Sequence, residues 1–275
     1  MDVKYIDTHT HLNLSAFTTD VDEVARQCAD AGVAAINVGT KEASSLRAVE
    51  LAAQYEHLYA IIGLHPIQTV PDNHDEDGEG MAEVFNPDFY RNLAQNKKVV
   101  GIGECGFDYF HTAPDSYAVQ EEAFIAQIML ANELKLPLMI HTRGPKPGQT
   151  SPTGRSVYED VYQTLKQYAK VPFNVHFYSG TIPEAEKFFE LGGTISFTGV
   201  ITFAKAFEEI VMHAPLALIH GETDAPYVAP APHRGKRCEP WMVQEVYKKI
   251  AAIKGSDEEE VRQQLIKNAQ RFYSL

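Results

Sequence analysis

Two histidines one residue apart, His9 and His11, begin a series of ionisable side chains that continues with His65, Glu104, His141, His176 and Asp224. Neutral imidazoles combined with carboxylates are ligand chemistry for zinc, manganese, magnesium or a similar divalent ion. Residues i and i+2 of a strand point to one face, so His9 and His11 can grip one ion together, and Asp7 shares their parity. A lone histidine is more often a satisfied core or capping residue. Convergence of six residues (His9, His11, Glu104, His141, His176 and Asp224) is harder to assign to chance. Six ligands exceed what one catalytic ion takes from protein while keeping a position open. Two ions would use them: His9, His11 and Asp224 on one, His141 and His176 on the other, with Glu104 bridging. Such a pair, about 3.5–4 Å apart, can hold the attacking and the leaving oxygen of a displacement at phosphorus.

The elements that must position these residues are legible as short β-rich runs, at 4–7, 34–39, 58–63, 98–103, 136–140, 173–175, 193–197 and 216–221. The candidate ligands follow those runs closely, His176 and Asp224 among them. Segments with helical spacing separate the runs, near 20–31, 42–55, 87–96, 115–134, 155–169, 183–191 and 203–213, with two more at 239–253 and 256–272. In the longest, Phe124, Ile125, Ile128 and Met129 form the stripe of a helix packed on a sheet and are read as core. Eight strands alternating with helices predict a single-domain (β/α)8 TIM barrel over 1–275, with an open doubly wound sheet as the alternative. A barrel gathers its chemistry at the C-terminal ends of many strands, which is where these residues fall.

Residues 101–106, GIGECG, also fit the G-x-G-x-x-G pattern of dinucleotide-binding loops, but that match needs a helix opening at its third glycine. Phe107 to His111 show no helical period. Glu104 is therefore the chemical residue, and the glycines make room for a ligand-bearing turn.

Composition narrows the functional classes. Net charge is −13, from 24 basic and 37 acidic residues, which opposes non-specific wrapping of a polyanion and leaves only local contacts to nucleic acid. Arg143, Lys146 and Arg155 form one local basic cluster, and Arg234, Lys236 and Arg237 a second. No run of about 18 uncharged apolar residues occurs and no basic, then apolar leader opens the chain, so neither membrane nor secretion is expected. Three separated cysteines, Cys28, Cys105 and Cys238, suit a reduced cytoplasm, and no obligate protein partner is evident. The acidic stretch 72–83 predicts a mobile surface loop. Its N-x-D-x-D-G start at Asn73 resembles a calcium loop, but Val84 stands where a bidentate Glu is required. His220 suits outer support or simple burial, Cys105 packing, and Asp108 and Tyr109 shaping of the site. His57, His74, His111, His213 and His233 are left as surface or loop residues.

With these residues in place, the chain resembles the TatD-related deoxyribonucleases, a branch of the amidohydrolase-like barrels. The motifs run in order through DTHTH, GLHP at 63–66, GIGECGFDY at 101–109, HTR at 141–143, HFYSG at 176–180, ETDAPY at 222–227, RGKR at 234–237 and NAQRFY at 268–273. The resemblance maps metal ligands onto His9, His11, Glu104, His141, His176 and Asp224, and a further active-site histidine onto His65. Where the family usually reads H-C-F-S-G this chain has bulkier Phe177 and Tyr178, and Cys238 replaces the asparagine after RGKR. The segment 144–154 is longer than the family's link.

The expectation is hydrolysis of phosphodiesters in DNA, from single-stranded ends, with two divalent ions. An acidified water attacks phosphorus, and Asp224 orients it or takes its proton. Arg143, Arg234, Lys236 and Arg237 steady phosphate oxygens, and His65 binds phosphate or assists the leaving oxygen. The alternatives are a hydrolase of a small ester, amide or phosphoester on the same barrel, a metal-binding scaffold, and more remotely a dinucleotide binder.

Overall fold

The computed structural model describes residues 2–71 and 80–275. Asn73, His74 and most of the acidic 72–83 stretch lie outside the described residues. Eight strands form one parallel sheet in sequence order: β1 (Tyr5–Thr10), β2 (Val33–Val38), β3 (Leu58–Ile62), β4 (Val99–Asp108), β5 (Leu138–Arg143), β6 (Phe173–Val175), β7 (Thr194–Phe197) and β8 (Ile219–Gly221). Helices α1 (Val21–Ala31), α2 (Glu42–Gln54), α3 (Pro87–Leu93), α4 (Tyr117–Leu134), α5 (Val157–Tyr168), α6 (Ile182–Glu190) and α7 (Glu208–His213) connect them, and α8 (Val243–Lys254) and α9 (Glu258–Tyr273) follow. This is a single (β/α)8 TIM barrel. Among the described residues no helix is long and apolar enough to cross a membrane.

The sheet closes at its rim. Thr10 bridges Ala225, the Asp224 N–H donates to the His9 carbonyl at 2.8 Å, and the His11 N–H donates to the Ala225 carbonyl at 2.8 Å. Two residue sets share the packing, as the period of two along each strand requires. Val33 and Ala35 of β2 pack outward with helix residues such as Val24 and Ala48, while Ala34, Ile36 and Val38 meet Ile61, Val100 and Met139 inside the barrel. Ala269 and Tyr273 of α9 join that inner cluster. From β6 to β8 the interior turns polar. Asn174 donates to Ser196 Oγ at 2.8 Å, Thr194 Oγ1 donates to Asn174 Oδ1 at 3.0 Å, and His220 Nε2 lies 3.2 Å from Thr194 Oγ1.

Three details depart from the sequence reading. β4 does not end in a turn at 103 but runs to Asp108, because Gly103 (φ +146) and Gly106 (φ +143) let β5 approach. A Cβ at Gly106 would sit 2.1 Å from the His141 carbonyl oxygen. No helix opens there; a 3₁₀ turn at Pro114–Ser116 and then α4 at Tyr117 come next. Second, Leu216–Leu218 is a 3₁₀ turn, so β8 is shorter. Third, Met129 is 53% exposed and Ile125 only partly buried, so neither belongs to the core with Phe124 and Ile128. Their expected place is taken by Gln120 and Gln127, both buried.

Candidate metal centre

The strand ends bring the six expected ligands together. His9, His11 and Asp224 place donor atoms within 4.8 Å of one another, as do Glu104, His141 and His176. Glu104 on β4 sits between the two groups. Its Oε2 faces His9 Nε2 at 3.5 Å and His11 Nε2 at 4.0 Å, while its Oε1 faces His176 Nε2 at 2.6 Å and His141 Nδ1 at 2.7 Å. The His9 and His176 rings stack at 4.0 Å between centroids.

The tautomers are set from outside the cluster. His11 Nδ1 lies 2.8 Å from the Val38 carbonyl, which can only accept, so Nδ1 carries a proton and, in the neutral ring that ligates a cation, Nε2 offers the lone pair. That lone pair points at His9 Nε2 across 3.0 Å, with Asp224 Oδ1 at 3.3 Å. Lone pairs and a carboxylate aimed at one point repel unless a cation or proton lies between them, so these residues fit a divalent ion. His141 Nε2 lies 3.1 Å from Asp108 Oδ2, the carboxylate–imidazole support usual for metal-ligating histidines. His65 differs: its Nδ1 accepts from the Ile67 N–H at 3.2 Å, which leaves an Nε2–H aimed at Glu104 Oε1, 3.5 Å away. It is a donor towards the site.

Electrostatics keep the carboxylates of the cluster charged. Burial raises the Glu104 carboxyl, but His176, His65, His9 and His141 outweigh it and hold the group well below its ordinary value. Asp224 is also lowered, burial being offset by His11 and His9. Burial pushes His65 down, reinforced by His141, and pushes His9 down, reinforced by His176. Burial lowers His11, His141 and His176 too, but the carboxylates of Asp224, Asp108 and Glu104 outweigh it and raise all three, so these rings hold protons that a divalent ion would displace.

Polar residues outside the cluster hold it in place. Gln127 of α4 accepts from the Leu64 N–H at 2.9 Å and donates to the Leu64 carbonyl at 2.9 Å, fixing the turn before His65. Gln120 accepts from the Asp108 N–H at 2.8 Å. Asp7 shares parity with His9 in the sequence, but the register slips between Asp7 and Thr10, and Asp7 accepts from the Thr223 N–H at 2.9 Å and its hydroxyl at 2.5 Å. It steadies the loop that carries Asp224.

A cavity of about 440 Å³ opens over these groups, lined by His65, Glu104, Asp224 and by Arg143, Phe177 and Tyr227 among others. Of the expected substrate contacts, His65 and Arg143 line it and the RGKR residues do not. Arg143 stacks on Phe110 at 4.9 Å. Arg234 stacks on Phe203 at 3.7 Å, and Lys236 is exposed. Arg237 is committed elsewhere, donating to Asp20 at 2.6 and 2.9 Å, to Glu239 at 3.0 Å and to the Ala16 carbonyl at 2.7 Å. The far end of segment 144–154 is anchored at the buried Asp160 of α5, which accepts from Thr153 Oγ1 at 2.6 Å, from the adjoining Arg155 Nε at 2.6 Å and from Tyr109 Oη, outside the segment, at 2.8 Å.

Sequence reasoning gave Asp108 only a shaping role and left His111 out of the site. Asp108 lies on the face of Glu104, and the i+4 spacing within one strand was the available signal. His111, left without a partner, holds Asp108 Oδ2 at 2.9 Å and lines the cavity. His57 and His213 also have partners, the Ala25 carbonyl at 3.0 Å and Glu186 at 3.1 Å, and His233 packs edge-on to Trp241.

Comparison with known proteins adds a lineage to this geometry. A family model described as TatD related DNase matches residues 6–274. The chain is 33% identical over 274 residues to the uncharacterized metal-dependent hydrolase YabD of Bacillus subtilis, covering 98% of each. It is 30% identical over 280 residues to the 3'-5' ssDNA/RNA exonuclease TatD of Erwinia tasmaniensis, covering 98% of this chain and 99% of that one. Among solved structures, the TatD homolog YjjV from Escherichia coli superposes with a TM-score of 0.83 at 26% identity over 100% of both chains.

Proposed function

This chain belongs to the TatD related DNase family, and from that premise we propose that it is a metal-dependent hydrolase that cleaves phosphodiester bonds of DNA from single-stranded ends. The observation that carries the reading is the division of Glu104: one carboxylate oxygen faces His9 and His11, the other His141 and His176. That is the geometry a residue bridging two divalent ions needs. Bound there, such ions would polarise phosphoryl oxygens and acidify a water.

The protein's own groups do the rest. Asp224, kept ionised beside His11, takes the proton that the attacking water gives up. His65 donates its Nε2–H to a phosphoryl or leaving oxygen, and Arg143 at the mouth pairs with a phosphate. Arg237, already bound to two carboxylates, is replaced in that task by Arg143. The exonuclease name of the Erwinia relative supports a nucleic-acid substrate and attack from a 3' end. The cavity lies in the range of sites for small molecules or single residues of a polymer, roughly 300–1,000 Å³, which also keeps a small phosphoester in view.

Metal analysis of protein purified without chelator, paired with digestion of single-stranded oligonucleotides blocked at either end, tests the proposal. Metal-stimulated release of nucleotides from the unblocked end is expected, and Glu104→Ala and Asp224→Ala should abolish it. Retained activity in folded, metal-depleted variants would overturn the assignment. Cleavage of small esters alone would favour the second substrate class, and bound metal without any hydrolysis a binding protein.

A further inference from the structure

Five non-glycine residues among those described have positive φ: Lys135, Phe177, Asp224, Val228 and Ser274. Lys135 and Ser274 are left-handed C-caps of α4 and α9, an ordinary use of that conformation. The other three, Phe177 (φ +46), Asp224 (φ +57) and Val228 (φ +52), all line the cavity. Aspartate tolerates the left-handed region, whereas a bulky or β-branched side chain there is an outlier that its surroundings must enforce.

Those surroundings are visible for Phe177. Its N–H donates to Glu222 Oε1 at 2.6 Å. The next residue, Tyr178, is fully buried, with its N–H on the Ser196 carbonyl at 3.0 Å and its hydroxyl on the Thr181 carbonyl at 2.6 Å. On the other side stands His176 of the metal group. Anchored at both ends, the backbone delivers the Phe177 ring, half-buried, to the cavity wall, edge-on to His176 with centroids 6.4 Å apart. No other aromatic ring packs on it among the described residues. A phenylalanine needed only for packing would gain more by joining the core.

We propose that Phe177 is a substrate-binding residue: the platform on which a nucleobase beside the scissile phosphate stacks. The proposal rests on the phosphodiesterase reading of the site. Base-on-aromatic stacking tolerates every base and, removed by alanine substitution, weakens binding by about 5- to 150-fold.

The test compares oligonucleotides that end in a normal nucleotide with ones that end in an abasic residue, cut by wild type, Phe177→Ala and Phe177→Tyr. Phe177→Ala should raise KM for the base-bearing end about 5- to 150-fold with little change in kcat, and leave the abasic end unaffected. Phe177→Tyr should behave as wild type. In chelator, where nothing is cut, terminal 2-aminopurine should lose emission on binding wild type and keep it with Phe177→Ala. Phe177→Gly, which removes a Cβ from a positive φ, should melt a few degrees above Phe177→Ala. The proposal is overturned if both ends respond alike to loss of the ring, if neither responds, or if glycine melts below alanine. A wild type that cuts no oligonucleotide counts against the phosphodiesterase reading; one that cuts both ends equally, with or without the ring, counts against Phe177 alone.

Discussion

His176 and His220 are both buried imidazoles of the same barrel, one just past β6 and the other within β8, yet their protons behave oppositely. Burial lowers His176, but Glu104 at 2.6 Å outweighs it and holds the ring well above its ordinary value. His220 has no carboxylate partner among the described residues. Thr194 Oγ1 stands 3.2 Å from one nitrogen, Phe272 and Tyr273 pack beside the ring, and burial, aided by Arg271, pushes its pKa down to about 3. Depth in the barrel therefore does not decide the charge; the partner does. The mouth is organised around charge, and the interior below it around neutral polar bonds.

The contrast breaks most visibly at Glu104. Replacing it with alanine should lower metal-stimulated cleavage more than about 100-fold, beyond what loss of an outer support costs. Elemental analysis should show the protein losing ions from both groups, because its two oxygens face both. Retention of a full metal complement would break the comparison at its centre.

Asp108→Asn tests support from outside, since His141 would keep its place but lose a carboxylate. A fall of about 10–100-fold in metal affinity or activity is expected, read by titration with Mn²⁺. His220→Leu tests the neutral interior. A ring that stays neutral when folded but gains a proton when unfolded costs stability as pH falls below about 6.5, and the loss continues towards about 3. Wild type should therefore lose roughly 2 kcal/mol more than His220→Leu between pH 6.5 and 5, measured by urea unfolding in chelator.

The smallest effects separate the two basic clusters. Arg143→Ala should raise KM with stability unchanged. Arg237→Ala should lower stability by about 1 kcal/mol, because its bonds to Asp20 and Glu239 are partly exposed, and leave KM alone. The reverse pattern would return the RGKR loop to the substrate.

The barrel was legible because each strand is a compact apolar run and each connection carries helical spacing. The six candidate ligands were legible because they follow those runs. What failed did so for local reasons. Gly103 and Gly106 look like a turn in sequence, but the missing side chains serve close approach of β5, so β4 continues and carries Asp108 inward. Hydrophobicity assigned Met129 to the core, whereas Gln120 and Gln127 hold buried positions because each satisfies backbone groups near the site. Charge alone could not tell Arg143 from Arg237, since the difference lies in Asp20, more than two hundred positions away.

Asp160 bears on how segment 144–154 can move. Fastened to Thr153 and Arg155, and to Tyr109 outside the segment, it pins the far end of segment 144–154 to α5. Lifting that end would strip two donors, Thr153 and the adjoining Arg155, from one buried carboxylate at once. Any swing of the segment must therefore pivot ahead of Thr153, which leaves its α5 end a fixed post.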